Sequence, residues 1–198
     1  MTHSALETRQ RASEPDPAGS SPMAFFQTVR ARHSVRAFAK QPVDPEKRMA
    51  LLQAASRAPS AGNLQAYEIY LVTQPAKLQA LAQAALHQDF IAQAPLALVF
   101  WAHPARSARK YGDRGRTLYC IQDATIAAAF SALAATALGL GCGWVGAFDD
   151  EAVRQAIGVL KGHVPVAILP VGYAAEVPEP TARRPISDLV HEIASSAS

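Results

Sequence analysis

The sequence predicts one layered α+β domain, in which helices pack around a small central sheet. Two apolar runs, at 67–72 and 96–101, have the aromatic and β-branched content of strands. A longer stretch, 118–138, is apolar on nearly every side and predicts a buried helix. The chain has 198 residues, of which 49% are hydrophobic, so it is long enough for one sizeable core and short for two.

Proline and turn residues mark most of the remaining boundaries. Pro45 and Pro75 suit the first turn of a helix, where proline is tolerated. Asp149, followed by two acidic residues, is typical of a helix N-cap. The predicted elements are helices at 23–32 and 45–57, a turn at 58–63, a strand at 67–72, a helix at 75–86, a strand at 96–101, a basic loop at 105–116, a helix at 118–138, a helix after 149, a strand at 164–171 and a short helix at 186–193.

Charge and cysteine content exclude several classes of protein. The net charge of +3 is too small to indicate nucleic-acid binding, although the pI is about 9.0. Cys120 and Cys142 form no CxxC pair and no disulfide framework, which indicates a reducing, cytoplasmic compartment. Residues 1–22 carry charges and no apolar run, so they are expected to be a disordered tail and not a secretory signal. Residues 23–198 are then the folded domain.

The alanine-rich segment 124–140 is the only one that resembles a membrane span. It contains Thr125, Ser131 and Thr136 and falls short of the roughly 20 strongly apolar residues that a span requires. We therefore expect no membrane association. Alanine lets a second backbone approach closely, and one small domain has difficulty covering such a helix. The helix is thus a candidate homodimer interface, with burial inside one chain as the alternative.

Local motifs for metal binding and for hydrolysis are absent from the sequence. The six histidines form no HxH or HExxH pair, so no metal site is expected. No GxSxG motif occurs. The glycine-rich segment 139–143 follows a predicted helix, whereas a dinucleotide fingerprint follows a strand.

Three short segments remain as candidate binding elements. Segment 32–36 (Arg-His-Ser-Val-Arg) offers two guanidiniums and a hydroxyl that suit an anion clamp, or it is a solvated basic turn. Segment 60–65 (Ser-Ala-Gly-Asn-Leu-Gln) offers a hydroxyl and two carboxamides for the edge of a heterocycle, or it is ordinary turn chemistry. Segment 143–146 (Gly-Trp-Val-Gly) presents backbone N–H groups to a ligand, or it is a buried strand.

The order of these segments along the chain is also informative. Arg-His-Ser-Val-Arg-Ala-Phe at 32–38 is followed by Ala-Pro-Ser-Ala-Gly-Asn-Leu-Gln at 58–65, and then by Tyr-Gly-Asp-Arg-Gly at 111–115 and the pair Gln122-Asp123. Leu-Gly-Leu-Gly at 138–141, Trp-Val-Gly-Ala-Phe at 144–148 and Arg-Arg-Pro at 183–185 complete the series. Together these motifs resemble the nitroreductase family over about residues 25–191.

The resemblance implies a three-layer α+β fold with a central mixed sheet, and an intertwined homodimer with two FMN sites at the subunit interface. It implies ping-pong hydride transfer from NADH or NADPH, through the flavin N5 atom, to a small-molecule acceptor such as a nitroaromatic or a quinone. No catalytic side chain is then required, because the protein positions and tunes the cofactor. Rivals are a specialised flavin enzyme of the same fold (a dehalogenase, a flavin destructase or a tailoring dehydrogenase) and a flavin-binding sensor without turnover.

The resemblance also implies where FMN would be held. Segment 32–36 and the pair Arg183–Arg184 lie on the phosphate and pyrimidine side, the 60–65 turn comes from the partner subunit, and the Gly146 N–H lies near N5. The implied contacts are Arg32, His33, Ser34, Arg36, Ser60, Asn63, Gln65, Gln122, Trp144, Val145, Gly146, Arg183 and Arg184.

Three positions depart from the family pattern. Val145 stands where many members have an acidic residue, Ala66-Tyr67 where many have Pro-Trp, and Thr181 where a lysine is common. These changes leave the flavin potential and the substrate preference open. The basic residues within 106–116 either recruit an anionic substrate or a nicotinamide phosphate, or form a mobile solvated loop.

Overall fold

The computed structural model describes residues 24–159 and 161–193 of the chain. The predicted disordered tail at 1–22 lies outside the described residues, as do both ends of the expected 23–198 domain.

A four-stranded sheet forms the middle of the domain. Its strands are β1 Tyr67–Val72, β2 Leu96–Ala102, β3 Gly141–Cys142 and β4 Val164–Gly172. They lie in the order β1-β2-β4-β3, and each of these ladders is antiparallel. The parallel component expected of a mixed sheet is an isolated bridge between Ser34 and Cys142.

Helices cover both faces of this sheet. Alternate residues of β2 point to opposite faces. Phe100 packs with α2 (Pro45–Ser56) and α6 (Cys120–Ala137), whereas Trp101 packs with α3 (Pro75–Ala84) and α7 (Asp150–Ile157). Every residue of β2 is buried, as its continuous apolar run predicts. The expected three-layer α+β fold is confirmed.

The alanine-rich helix α6 is the centre of one helical layer. Ala124, Ala127 and Ala128 are fully buried and let α6 lie close to α2 and to the sheet. The buried Ser131 hydroxyl donates a hydrogen bond to the Leu51 carbonyl oxygen at 3.0 Å, so this polar group is satisfied. The helical stretch Pro104–Ala137 is long and apolar enough to cross a membrane by length and composition alone. Within the described residues, 44% of its most apolar 18-residue window is buried inside the domain.

Helix boundaries follow the sequence signals. Pro45 and Pro75 begin α2 and α3. The Asp149 carboxylate accepts a hydrogen bond from the Ala152 N–H at 2.7 Å and caps α7. Gly158 ends that helix with φ 77°, a left-handed conformation that glycine adopts without strain.

The basic segment expected as a loop at 105–116 is helical, so that prediction is wrong. It forms α5 (Pro104–Arg114), followed by a π-helical turn at Gly115–Tyr119 that leads into α6. Arginine, lysine and alanine are good helix formers, and Pro104 lies at the first turn. The scarcity of apolar residues concealed this helix, because apolar periodicity is the signal by which helices are recognised.

The prediction of a C-terminal helix at 186–193 is also wrong. Only a 3₁₀ turn, Ile186–Asp188, forms there. Ile186, Leu189, Val190 and Ile193 are exposed, so no packing within the described chain supports a longer helix. Helix α1 (Phe25–Ala31) lies within the helix predicted at 23–32. The short α4 (Phe90–Gln93) is not predicted from the sequence.

Candidate active site

A basic cavity of about 350 Å³ lies between the segment after α1 and the C-terminal segment. Three guanidiniums converge on one space, which suits an anion with two negative charges. Arg184 does not line it, and its guanidinium donates to the Asp188 carbonyl oxygen at 3.4 Å. The cavity is lined by Arg32, His33, Ser34, Arg36, Glu176, Pro178, Glu179, Thr181 and Arg183.

Backbone hydrogen bonds fix one wall of this basic cavity. The Val35 N–H donates to the Cys142 carbonyl oxygen at 3.1 Å, which ties the segment to β3. The N–H groups of Arg36 and Ala37 both donate to Oε1 of Glu176, at 2.5 Å and 3.1 Å. The backbone of this turn therefore already holds a carboxylate. Glu176 was not identified from the sequence, because nothing local distinguishes it from a solvated glutamate.

An apolar cavity of about 380 Å³ adjoins the basic one, and Arg32 lines both. Gly143 is tightly packed, since a Cβ there would lie 3.0 Å from the Val35 carbonyl oxygen and 3.1 Å from Pro170. The two cavities together offer a basic end and an apolar end for one ligand. The other residues of the apolar cavity are Ala129, Ala132, Leu133, Cys142, Gly143 and Trp144.

Val145 and Gly146 face different environments. Val145 is 2% exposed, and its N–H and carbonyl oxygen pair with Ile168 at 3.0 Å and 2.9 Å. Its side chain packs in the core, so it acts on a ligand only by positioning its neighbours. Gly146 is exposed, and a Cβ built there meets only Nε1 of Trp144, at 3.9 Å. The chain's own packing therefore does not require glycine at this position.

A different cavity, of about 500 Å³, lies between the 60–65 turn and α6. Ser60 and Gln122 lie on its wall, and this cavity shares no lining residue with the other two. Within the turn, the Ser60 hydroxyl accepts from the Gln65 N–H at 3.0 Å, and Gln65 Nε2 donates to Asn63 Oδ1 at 3.0 Å. The chain thus places the predicted contacts in two separate groups.

A buried carboxylate supports the 60–65 turn. Asp123 is 2% exposed, and it accepts hydrogen bonds from the N–H groups of Ala61 at 2.8 Å and Ala66 at 3.2 Å. Between them, Asn63 and Gln65 have positive φ values of 58° and 46°. Such values are uncommon for residues other than glycine, so the turn depends on its hydrogen bonds. The sequence marked Asp123 only as the neighbour of Gln122.

The cysteine that lines the apolar cavity has a thiol of low reactivity. Burial raises the pKa of the Cys142 thiol to about 12, against a smaller opposing effect of the Arg32 guanidinium. Thiolate is the nucleophilic form, so Cys142 does not supply a nucleophile at neutral pH.

Outside these cavities, the fold assembles a group that we call the His–Glu cluster: Glu68, His103 and His163. One potential ligand atom from each residue lies within 4.8 Å of the others. The two imidazole rings meet edge to face with centroids 4.4 Å apart. Burial lowers the pKa of His103, and His163 and Arg106 lower it further. The sequence argument against a metal site rested on local spacing, and these residues are distant along the chain.

Comparison with known proteins identifies relatives of this chain and of its fold. The profile of the Nitroreductase family covers residues 29–173. A NADH dehydrogenase of Thermus thermophilus is 33% identical over 187 residues, which cover 80% of this chain and 91% of the relative. A NADPH-flavin oxidoreductase of Vibrio harveyi is 31% identical over 174 residues, covering 84% and 72%. The structure of the NADPH:FMN oxidoreductase from Vibrio harveyi complexed with NAD+ superposes with a TM-score of 0.78 at 29% identity, covering 87% of this chain and 77% of that one. The chain belongs to the nitroreductase family.

Proposed function

We propose that this protein is an FMN-dependent NAD(P)H oxidoreductase that passes hydride to a small electrophilic acceptor such as a nitroaromatic or a quinone, and that it works as a cytoplasmic homodimer. One observation carries the proposal: a basic cavity and an apolar cavity meet at Arg32. FMN has a doubly charged phosphate at one end and a planar ring system at the other. When bound, FMN supplies a ring nitrogen that accepts and returns a hydride.

The phosphate end fits the basic cavity. Arg32, Arg36 and Arg183 supply three permanent positive charges, and the Ser34 hydroxyl adds a hydrogen-bond donor. Glu176 and Glu179 oppose this charge, but the Glu176 carboxylate is engaged by two backbone N–H groups. Bidentate arginine contacts orient a phosphate as well as attract it.

The ring end fits the apolar cavity and its mouth. Gly143 and the small alanines of α6 leave space for a flat ligand, and Trp144 is 40% exposed beside it. Gly146 carries no side chain on a face that is otherwise open. A ring system approaching this strand end would meet backbone and not a Cβ, which suits close approach to the Gly146 N–H.

The second group of contacts supports a homodimer. Ser60 and Gln122 line a separate cavity within one chain, and none of Ser60, Asn63, Gln65 and Gln122 lines the basic or the apolar cavity. These side chains would therefore complete a flavin site only from another chain. Exposed aromatic residues of α1 and α6 offer a surface for such an assembly: Phe25 is 66%, Phe26 72% and Phe130 38% exposed. The exposed apolar residues at 186–193 are further candidates for contact with a second chain.

Purification and single-turnover kinetics test the proposal. The protein should be yellow, with about one FMN per chain, and should sediment as a dimer at micromolar concentration. Mixing it with NADH or NADPH without oxygen should bleach the flavin, and an added nitroaromatic or quinone should restore the colour. A colourless protein that fails to bind added FMN would overturn the proposal. Bound FMN that neither nicotinamide reduces would instead support a flavin sensor.

A further inference from the structure

The His–Glu cluster lies where three strands meet at one end of the sheet. The register places Ala102 of β2 opposite Tyr67 of β1 and Val164 of β4. Glu68 follows Tyr67, His103 follows Ala102, and His163 precedes Val164, so the three side chains belong to adjacent strands or their immediate ends. Their backbone is well anchored, since the His103 N–H donates to the Ala66 carbonyl oxygen at 2.8 Å.

An unsatisfied polar atom marks this place independently. Nδ1 of His163 is buried and has no hydrogen-bond partner within the described residues. The backbone of the same residue is paired, because Arg154 Nη2 donates to the His163 carbonyl oxygen at 2.8 Å. Buried polar groups in folded proteins nearly always have a partner, so an orphaned ring nitrogen beside a second imidazole and a carboxylate points to a missing ligand.

We propose that the His–Glu cluster is a binding site for a divalent transition-metal ion, best suited to Zn²⁺. Two imidazole nitrogens and one carboxylate oxygen form a donor set that Zn²⁺ accepts, and three protein ligands leave one tetrahedral position for water. Nitrogen donors select against Mg²⁺ and Ca²⁺, which prefer oxygen alone. Zinc bonds of about 2.0–2.2 Å place tetrahedral ligand atoms roughly 3.4 Å apart. The observed limit of 4.8 Å therefore requires only a small closing rotation of side chains.

Arg106 borders the His–Glu cluster but leaves the ligand atoms of the cluster free to bind a metal ion. Arg106 Nη2 donates to Oε1 of Glu68 at 2.5 Å, and the carboxylate keeps a second oxygen for a metal. A carboxylate ligand held by an outer hydrogen bond is common in metal sites, because that bond orients it. The Arg106 N–H reaches Nδ1 of His103 at 3.3 Å but also the His103 carbonyl oxygen at 3.1 Å, so it does not depend on the ring.

Zn²⁺ titration of the untagged, FMN-loaded protein by isothermal calorimetry tests the site, with metal content measured after dialysis. We expect about one Zn²⁺ per chain, unaffected by excess Mg²⁺. His163→Ala and Glu68→Gln should each weaken Zn²⁺ binding about tenfold or more. His87→Asn is the matched control: His87 is exposed outside the cluster with φ 60°, which asparagine tolerates, so its affinity should equal that of the wild type.

Equal Zn²⁺ affinity in the wild type, His163→Ala and Glu68→Gln would overturn the proposal, as would the absence of binding to the wild type. Far-UV circular dichroism and flavin content show whether each variant is folded. If a variant fails to fold, the visible absorption spectrum of Co²⁺ added to the wild-type protein tests the site instead. Intense visible bands beyond those of the flavin indicate a tetrahedral site, and the weak bands of hydrated Co²⁺ reject it.

Discussion

The carboxylate of Asp123 accepts a hydrogen bond from the Ala61 N–H at 2.8 Å, and so connects the core helix α6 to the turn that carries Ser60, Asn63 and Gln65. A second bond, from the Ala66 N–H, closes the other end of that turn. The residue next to Asp123 on the helix, Gln122, lines the same cavity as Ser60. One buried side chain thus determines the shape of a surface that we assign to the flavin site of the partner subunit.

Replacing this carboxylate should destabilise the domain. Asp123→Ala leaves two N–H groups without their acceptor and should cost about 3 kcal/mol of unfolding free energy, since each unsatisfied buried group costs roughly 1–3 kcal/mol. Asp123→Asn keeps one acceptor oxygen and should cost about half as much. Urea unfolding followed by circular dichroism measures both. Asp113→Ala is the control, because Asp113 is exposed on α5. Equal stability of Asp123→Ala and Asp113→Ala would contradict the structural role.

Arg32 should be the strongest single determinant of FMN affinity, because it lines both cavities of the proposed site. Arg32→Ala removes a charge-assisted phosphate contact of about 1.5–3 kcal/mol, which corresponds to roughly 10–150-fold in affinity. Fluorescence titration of the flavin-free protein measures the change. Arg30→Ala, in the last turn of α1 and outside both cavities, should bind FMN normally. Similar losses in the two variants would mean that the basic turn acts only through general charge.

Two glycines near the proposed ring site should respond to substitution in opposite ways. Gly143→Ala places a Cβ 3.0 Å from the Val35 carbonyl oxygen and should lower thermal stability even without flavin. Gly146→Leu fills space that the chain itself leaves open, so it should fold normally and lose FMN affinity. Melting temperature and flavin content separate the two effects. A Gly146→Leu protein that retains wild-type FMN binding would place the ring elsewhere.

Cys142 should resist alkylation in the folded protein. Its pKa of about 12 lies above the ordinary value of 9.0 because burial disfavours the thiolate. At pH 8 the raised pKa leaves roughly a thousandfold less thiolate than an unperturbed cysteine would have, and the nucleophilic form is scarce. Iodoacetamide followed by mass spectrometry should modify Cys142 in urea and spare it in buffer. Rapid modification of the native protein at pH 8 would show that the apolar cavity is open to water at this thiol.

The strands and the core helix could be predicted because their signals are local. The apolar run 96–101 and the alanine-rich helix are recognisable from composition, and Pro45 and Asp149 mark helix starts. Helix α5 was missed because its residues are mostly basic or polar and show no apolar periodicity, although several of them have good helix propensity. The order of motifs along the chain predicts that Arg32, Arg36 and Arg183 serve one binding site, and all three line the basic cavity.

Contacts between distant residues could not be predicted in the same way. Glu176 binds the N–H groups of Arg36 and Ala37 across a separation of about 140 residues, and no local pattern records that pairing. Glu68, His103 and His163 meet only because three neighbouring strands of the sheet bring them within reach of one another. A search for metal motifs by residue spacing therefore misses a site whose ligands come from different strands of a sheet.

Mixed dimers offer the most direct test of a flavin site shared between subunits. Asn63→Gly with Gln65→Gly removes two carboxamides while keeping the positive φ values of the turn, so it should lower FMN binding without unfolding the chain. Arg32→Ala lowers FMN binding from the other side of the proposed site. If each site takes its arginine from one chain and its turn from the other, a mixed dimer has one intact site and one site with both defects. Random pairing of equal amounts of the two coexpressed variants then restores about a quarter of all sites to wild-type affinity. If the same two variants are purified separately and mixed without exchange of subunits, no sites of wild-type affinity should form. Flavin content after dialysis measures the intact sites. Two different affinity tags show whether mixed dimers have formed. If mixed dimers form and flavin binding does not recover, each site is built within one chain.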